Sequence, residues 1–201
     1  MHGVRVVVFG STGRTGSAVL ERAIARGHEV RAFARSPEKV GRGAEIVVGD
    51  AFDADAVAAA IRGRDAVITA LGVPIVGPTT DLSRPTAHVV DGAAATGVRR
   101  LSAVLSTVVF LTKVSERFAE NRKEHLRNLE TLRGSALAWV GLCPTSIEDR
   151  PGTGSYVAVI DGKAPGGGIS RFDLADALID ALERDDWVGH PVGISTEETP
   201  G

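Results

Sequence analysis

Across 201 residues the chain carries 23 Lys and Arg against 25 Asp and Glu, a formal net charge of -2, with 43% hydrophobic residues. That length predicts one domain with a full core, and the balanced charge, with no basic face, argues against nucleic acid as a partner. A single cysteine, Cys143, excludes an internal disulfide framework and fits a reducing, cytoplasmic setting.

In chain order, short apolar runs alternate with segments of helical spacing. Strands are predicted over Val4–Phe9, Glu29–Phe33, Ala44–Val48, Asp65–Ala70, Arg100–Ser106 and Ala136–Leu142. Helices are predicted between them, over Arg14–Arg26, Asp53–Arg62, Pro85–Thr96 and Glu116–Arg133. Asp53 is placed to cap its helix, and Gly27 and Gly97 to end theirs. A later helix is announced by "SRFDLADALIDALE", where Ser170 and Asp173 have the spacing of a capping box. The alternation predicts an α/β fold, a single doubly wound domain with a mostly parallel sheet flanked by helices. Residues 1–196 read as that domain with its substrate loops, and 197–201 as a flexible tail. The longest apolar stretch, "LSAVLSTVVFL", is too short and too hydroxylated to span a bilayer. The first apolar run breaks into Gly-Ser-Thr-Gly, unlike a secretory leader.

That first run, "VRVVVFGSTGRTGSAVL", carries the main chemistry. A strand, a glycine-rich turn and a helix N-terminus make an anion site, because backbone N–H groups point outward and the helix dipole favours negative charge. Gly10 permits the tight turn, Gly13 lets a pyrophosphate approach, and Gly16 lets helix pack on sheet. The spacing is G-x-x-G-x-x-G, which alone also suits a plain strand-to-helix turn; the β-α units downstream favour a dinucleotide.

The second strand decides which dinucleotide. A carboxylate at its end would bind the ribose 2′-OH of NAD, whereas here stand Arg35 and Ser36. A guanidinium suits the 2′-phosphate of NADP(H), the cofactor expected, with Arg14 as a second positive contact. An arginine at that place also suits an ordinary solvated loop. Other strand ends should line the same crevice: Asp50 and Ala51 after the third, Leu71 and Gly72 after the fourth, Ser106 and Thr107 after the fifth.

"VFGSTGRTG", "VVGD", "DAVITALG", "LSRPT", the long stretch from "EHLRNLETL" to "TGSY", and "ISRFDLADAL" together resemble the atypical short-chain dehydrogenase/reductases, in their NmrA-like branch. Within it they are most similar to the NADPH-dependent flavin reductases also called biliverdin reductase B. The resemblance covers nearly the whole chain and implies a Rossmann-type fold and hydride transfer from NADPH to flavins, tetrapyrroles or quinones. Carried over position by position, it implies Gly10, Thr12, Gly13, Arg14, Thr15, Arg35, Ser36, Asp50, Leu71, Gly72 and Ser106 as cofactor-lining. It adds Cys143, Pro144 and Thr145 near the nicotinamide, and makes Ser106 an active-site serine. It also implies a monomer with a small-molecule substrate and no membrane partner.

The departures matter. The Tyr-x-x-x-Lys pair of typical short-chain dehydrogenases is absent, because the one tyrosine, Tyr156, is followed four residues later by Ile160. Tyr156 is expected to pack its ring below the active-site loop. Ser146 and Leu129 stand where the flavin reductase has histidines, and the loop opening at Val73 is longer. Ser146 and Val73 are the expected substrate contacts. Lys113, in the loop after the fifth strand, stands where a catalytic acid is useful, beside the alternative of a plain surface residue. His125 reads as part of a solvated helix face, beside the alternative of facing the site, and His28 and His88 as surface or helix-face residues. No cluster has metal-ligand spacing. Three functions are consistent with this reading: a reductase of a flat conjugated acceptor, a repurposed non-redox enzyme such as a cyclase, isomerase or dehydratase, and a sensor of cofactor redox state. The first is favoured.

Overall fold

The computed structural model of the chain describes residues 3–72 and 77–196. Its elements run β1 (Arg5–Phe9), α1 (Arg14–Ala25), β2 (Glu29–Ala34), β3 (Glu45–Val48), α2 (Ala54–Ile61), β4 (Ala66–Thr69), α3 (Ser83–Thr96) and β5 (Arg100–Val104). They continue with α4 (Ala119–Arg133), β6 (Ala138–Pro144), β7 (Ile147–Glu148), β8 (Val157–Ile160), β9 (Ile169–Ser170), α5 (Arg171–Asp180) and β10 (His190–Ser195).

Eight strands form one sheet in the order β3-β2-β1-β4-β5-β6-β10-β8. All pairings are parallel except the antiparallel one between β8 and β10. β7 and β9 make a separate parallel pair. The strands are apolar on both faces because helices cover both. Val6, Val8, Ile68 and Leu142 face α1 and α5, while their strand neighbours Val7, Phe9, Val67 and Trp139 face α2, α3 and α4. The chain winds from β1 outward to β3, then returns to place β4 on the other side of β1. That reversal opens a crevice at the C-terminal ends of β1 and β4.

Local signals act as their chemistry requires. Asp53 caps α2, its Oδ1 accepting from the N–H groups of Asp55 and Ala56 at 3.0 and 3.1 Å. Gly27 and Gly97 follow α1 and α3 at φ of +80° and +78°, where a side chain would be strained.

Four expectations need correction. β8 and β10 lie beyond the strands predicted, and they complete one edge of the sheet. β5 stops at Val104, and Ser106 instead starts a 3₁₀ turn, Thr107–Phe110. A second 3₁₀ turn, Glu116–Phe118, precedes α4, which begins at Ala119. The capping box at α5 is only half made. Ser170 Oγ accepts from the Phe172 N–H, but the Asp173 carboxylate takes the N–H groups of Thr153 and Gly154, both at 2.9 Å, and pins their loop.

Among the described residues no helix is long and apolar enough to cross a membrane. The expected tail, 197–201, lies outside the described residues, as does Val73.

Candidate functional site

The glycine turn supplies the floor of the crevice. Gly10 has φ of +75°, and a Cβ there would come within 2.5 Å of the Ala70 carbonyl oxygen on β4. At Gly16 a Cβ would overlap the Gly10 carbonyl, so this glycine seats α1 against the turn that feeds it. Gly13 has only the Gly10 carbonyl oxygen near its missing Cβ, at 3.2 Å, and is exposed toward the crevice. The N-terminus of α1 has no side-chain cap and no acid in its first turn, in contrast to α2. Its free N–H groups and dipole therefore remain available to an anion. Ser11, which sequence reasoning passed over, holds the turn in place by donating from its buried hydroxyl to the Phe33 carbonyl at 2.8 Å.

A cavity of about 420 Å³ runs along the strand ends above this turn. It brings together Gly10, Thr12, Gly13, Arg35, Asp50, Ala51, Leu71 and Gly72, each singled out from sequence. Phe33, Phe52, Asp81 and Pro85 also line it and were not foreseen. The Phe33 ring fills the space where Gly49 would carry a Cβ, 2.6 Å from it, and stacks at a tilt on Phe9 with centroids 5.0 Å apart. His88 fixes another wall, its Nδ1 donating to the Ala51 carbonyl at 3.0 Å. Only that side-chain role on α3 links His88 to the site, and a helix-face histidine carries no sequence signal for it.

At the end of β2, Arg35 is exposed and reaches Asp50 only at 4.0 Å. Asp50 Oδ1 meanwhile accepts the Phe52 N–H at 3.0 Å, which shapes the loop after β3. Ser36 lies beside them and precedes the 3₁₀ turn Pro37–Lys39. A loosely held cation at the end of β2 is free to meet an anionic ligand.

Other predicted residues lie elsewhere. Arg14 does not line the cavity that holds Arg35 and donates to Asp149 at 2.7 Å. Thr15 Oγ1 accepts from Arg171 at 2.8 Å. Arg14 and Arg171, the partner of Thr15, line a separate hollow of about 600 Å³ between the N-terminal ends of α1 and α5, together with Asp149 and Phe172 among others.

Ser106, half-buried past the end of β5, weakly accepts the Val108 N–H at 3.4 Å, which leaves its own proton to be donated. Thr107 beside it is buried, Pro144 ends the neighbouring β6, and Thr145 follows it. Cys143 is a correction: strand alternation turns its side chain into the core with Trp139, and burial pushes its thiol pKa far up. The thiol does not line the crevice. Ser146 is exposed and donates to the Gly167 carbonyl at 3.0 Å, and Lys113 is exposed in the loop before α4. Leu129 is a core residue at 2% exposure.

Two further expectations are overturned. Tyr156 lies against Trp187 and donates to Asp180 at 2.6 Å, a contact with the C-terminal turn of α5 rather than with the active-site loop. Burial, then the Asp180 carboxylate, raises its pKa. His125 is not on a solvated face: its Nδ1 is enclosed without a partner among the described residues, and burial lowers its pKa to about 4. The 3₁₀ turn after β5 packs on α4, the helix that bears this histidine.

Residues 10–185 match the NAD(P)H-binding family. The chain is 30% identical over 204 residues to the (4-alkanoyl-5-oxo-2,5-dihydrofuran-3-yl)methyl phosphate reductase of Streptomyces griseus, covering 96% of this chain and 68% of that one. It is 35% identical over 112 residues, 50% of this chain and 37% of the other, to a 3-diazoavenalumate denitrifying reductase from a Streptomyces species. Among solved structures, ChuY, an anaerobillin reductase from Escherichia coli, superposes with a TM-score of 0.81 at 23% identity, over 98% of both chains. With that match over most of its length, and with a glycine turn at the reversal of its sheet, the chain belongs to the NAD(P)H-binding family.

Proposed function

We propose that the protein is an NADPH-dependent reductase that passes hydride to a flat, conjugated acceptor such as a flavin, a quinone or an unsaturated lactone. The observation that carries the preference for NADPH is Arg35: an exposed guanidinium at the end of β2, held only at 4.0 Å by Asp50. A 2′-phosphate there gains a charge-assisted contact, and no carboxylate from β2 opposes it. When bound, the nicotinamide supplies the hydride.

What this chain contributes is placement. The open N-terminus of α1 takes the pyrophosphate, Phe33 and the Asp50 loop bound the adenosine end, and the Ser106 hydroxyl donates toward the acceptor or the nicotinamide amide. The chain's one tyrosine is committed to Asp180, so no tyrosine acid serves a ketone or alcohol. A conjugated acceptor is its own electron sink and takes the proton from water. The Streptomyces relative whose name describes an unsaturated lactone phosphate supports this class of substrate.

The test is oxidation of NADPH and of NADH, followed by reduced-nicotinamide absorbance, with FMN, a benzoquinone and an α,β-unsaturated lactone as acceptors. Acceptor-dependent oxidation that favours NADPH is expected. Tight NADPH binding with no oxidation by any acceptor would overturn the reductase reading in favour of a sensor or a non-redox enzyme.

A further inference from the structure

Two arginines and one carboxylate join the glycine turn to α5. Arg171, the first residue of α5, has a side chain only 9% exposed. It donates from Nη1 to Thr15 Oγ1 at 2.8 Å and from Nε to Asp149 Oδ1 at 2.6 Å. The other oxygen of Asp149 accepts from Arg14 Nη1 at 2.7 Å, across a pair whose side chains are 78% and 59% exposed. Arg171 therefore holds two partners from a largely buried side chain, whereas Arg14 holds one from a solvated side chain.

Thr15 is the second residue of α1, within the turn whose N–H groups have no helical partner. With Arg171 donating to its oxygen, the Thr15 proton is left to be donated, and a charged donor behind it strengthens that bond. Asp149 has the opposite effect. It sets a negative charge against Arg14 at a helix end whose dipole and open N–H groups select anions. A dinucleotide places its pyrophosphate at this helix end.

We propose that Asp149 is a resident anion which the pyrophosphate displaces from Arg14, and that Arg171 is the positioning residue that holds Thr15 and the Asp149 carboxylate during the exchange. The exposed pair is weak enough to give way, since solvated ion pairs contribute little. The loop that bears Asp149 stays in place, because Ser170 Oγ donates to the Arg150 carbonyl at 3.0 Å and Asp173 holds Thr153 and Gly154. Only Arg14 has to move. The built-in competitor keeps dinucleotide affinity below its ceiling and speeds release.

Asp149→Asn keeps the hydrogen-bond acceptor and removes the charge. Fluorescence titration should show NADH and NADPH both binding tighter, by the same factor of about threefold to tenfold. 2′-AMP, which has the adenosine and a phosphate but no pyrophosphate, should compete with unchanged affinity. Arg171→Gln should weaken both dinucleotides by about tenfold, and Arg171→Lys should restore only part of this, since an ammonium cannot span Thr15 and Asp149 as a fork does. Unchanged or weaker NADPH binding in Asp149→Asn, or an equal gain for 2′-AMP, overturns the proposal. Should Arg171→Gln fail to fold, the exposed Asp149 decides alone. NADH and NADPH share the pyrophosphate, so the result is independent of Arg35 and of the acceptor.

Discussion

Glu124 on α4 is fully enclosed, and its carboxylate caps a different helix. Oε1 accepts from the N–H groups of Leu82 and Ser83 at 3.0 and 2.7 Å, at the start of α3, which has no side-chain cap of its own. Oε2 accepts from the Ser83 hydroxyl at 3.1 Å and from Arg127 at 2.8 and 2.6 Å. Glu124→Ala leaves two helix N–H groups and a hydroxyl buried without partners, while the half-exposed Arg127 turns to water. A lost cap costs about 1 kcal/mol and each orphaned donor about 1 to 3. Partial relaxation brings the expected loss to about 3 to 5 kcal/mol, in the range for breaking a buried ion pair. Glu124→Gln keeps one acceptor and should lose about half as much.

The assay is urea denaturation, where a slope of about 2 kcal/mol/M converts the Ala loss to a midpoint shift of about 2 M. The pH dependence gives a second reading. Burial raises the Glu124 pKa, but the Ser83, Arg127 and Leu82 donors together outweigh it and bring it below the ordinary 4.5. A depressed carboxyl pKa contributes stability that is complete above the unfolded value and lost as pH falls through the folded one. Wild type should therefore lose more stability than Glu124→Gln on acidification below about pH 4.5. An Ala variant within about 1 kcal/mol of wild type, or a Gln variant no better than Ala, would refute the capping role.

Arg35→Ala should weaken NADPH by about tenfold while changing NADH less than about twofold, measured by fluorescence titration; equal losses would remove the guanidinium from the 2′-phosphate. Ser106→Ala should lower turnover by about tenfold or more with cofactor affinity unchanged, and an unaltered rate would take Ser106 out of the chemistry. Tyr156→Phe should leave turnover and its pH profile as they are and lower the melting temperature slightly, since it loses one hydrogen bond to Asp180; a collapse in rate would reinstate the tyrosine as an acid.

The clustering of the glycine turn with the strand ends was legible because its signals are local. Gly10, Gly13 and Gly16 lie within one turn, and Arg35, Asp50, Leu71 and Gly72 each follow a recognisable strand, so topology alone gathers them. What escaped depended on distant partners. Asp173 has the right spacing for a capping box, yet Thr153 and Gly154 offer it two N–H groups from another loop. His125 sits among Arg122, Lys123 and Arg127, a pattern that reads as solvated, but its Nδ1 is enclosed on a helix against which the 3₁₀ turn after β5 packs. Cys143 was placed correctly along the chain, while the parity of β6 sends its side chain to the other side. β10 was hidden because Gly193 dilutes its apolar run. Its missing Cβ lets the Gly162 carbonyl pass close, a demand visible only in three dimensions.

The bond between Thr15 and Arg171 spans 156 positions of sequence. A ribosome makes the glycine turn long before it makes the anchor. A nascent chain that has already paired β1 with β2 thus exposes an unfinished cradle, with the Thr15 hydroxyl unanchored, until α5 is released and docks on α1. Dinucleotide therefore cannot find its full grip before α5 has docked, so tight cofactor binding reports that the two ends of this bond have both folded.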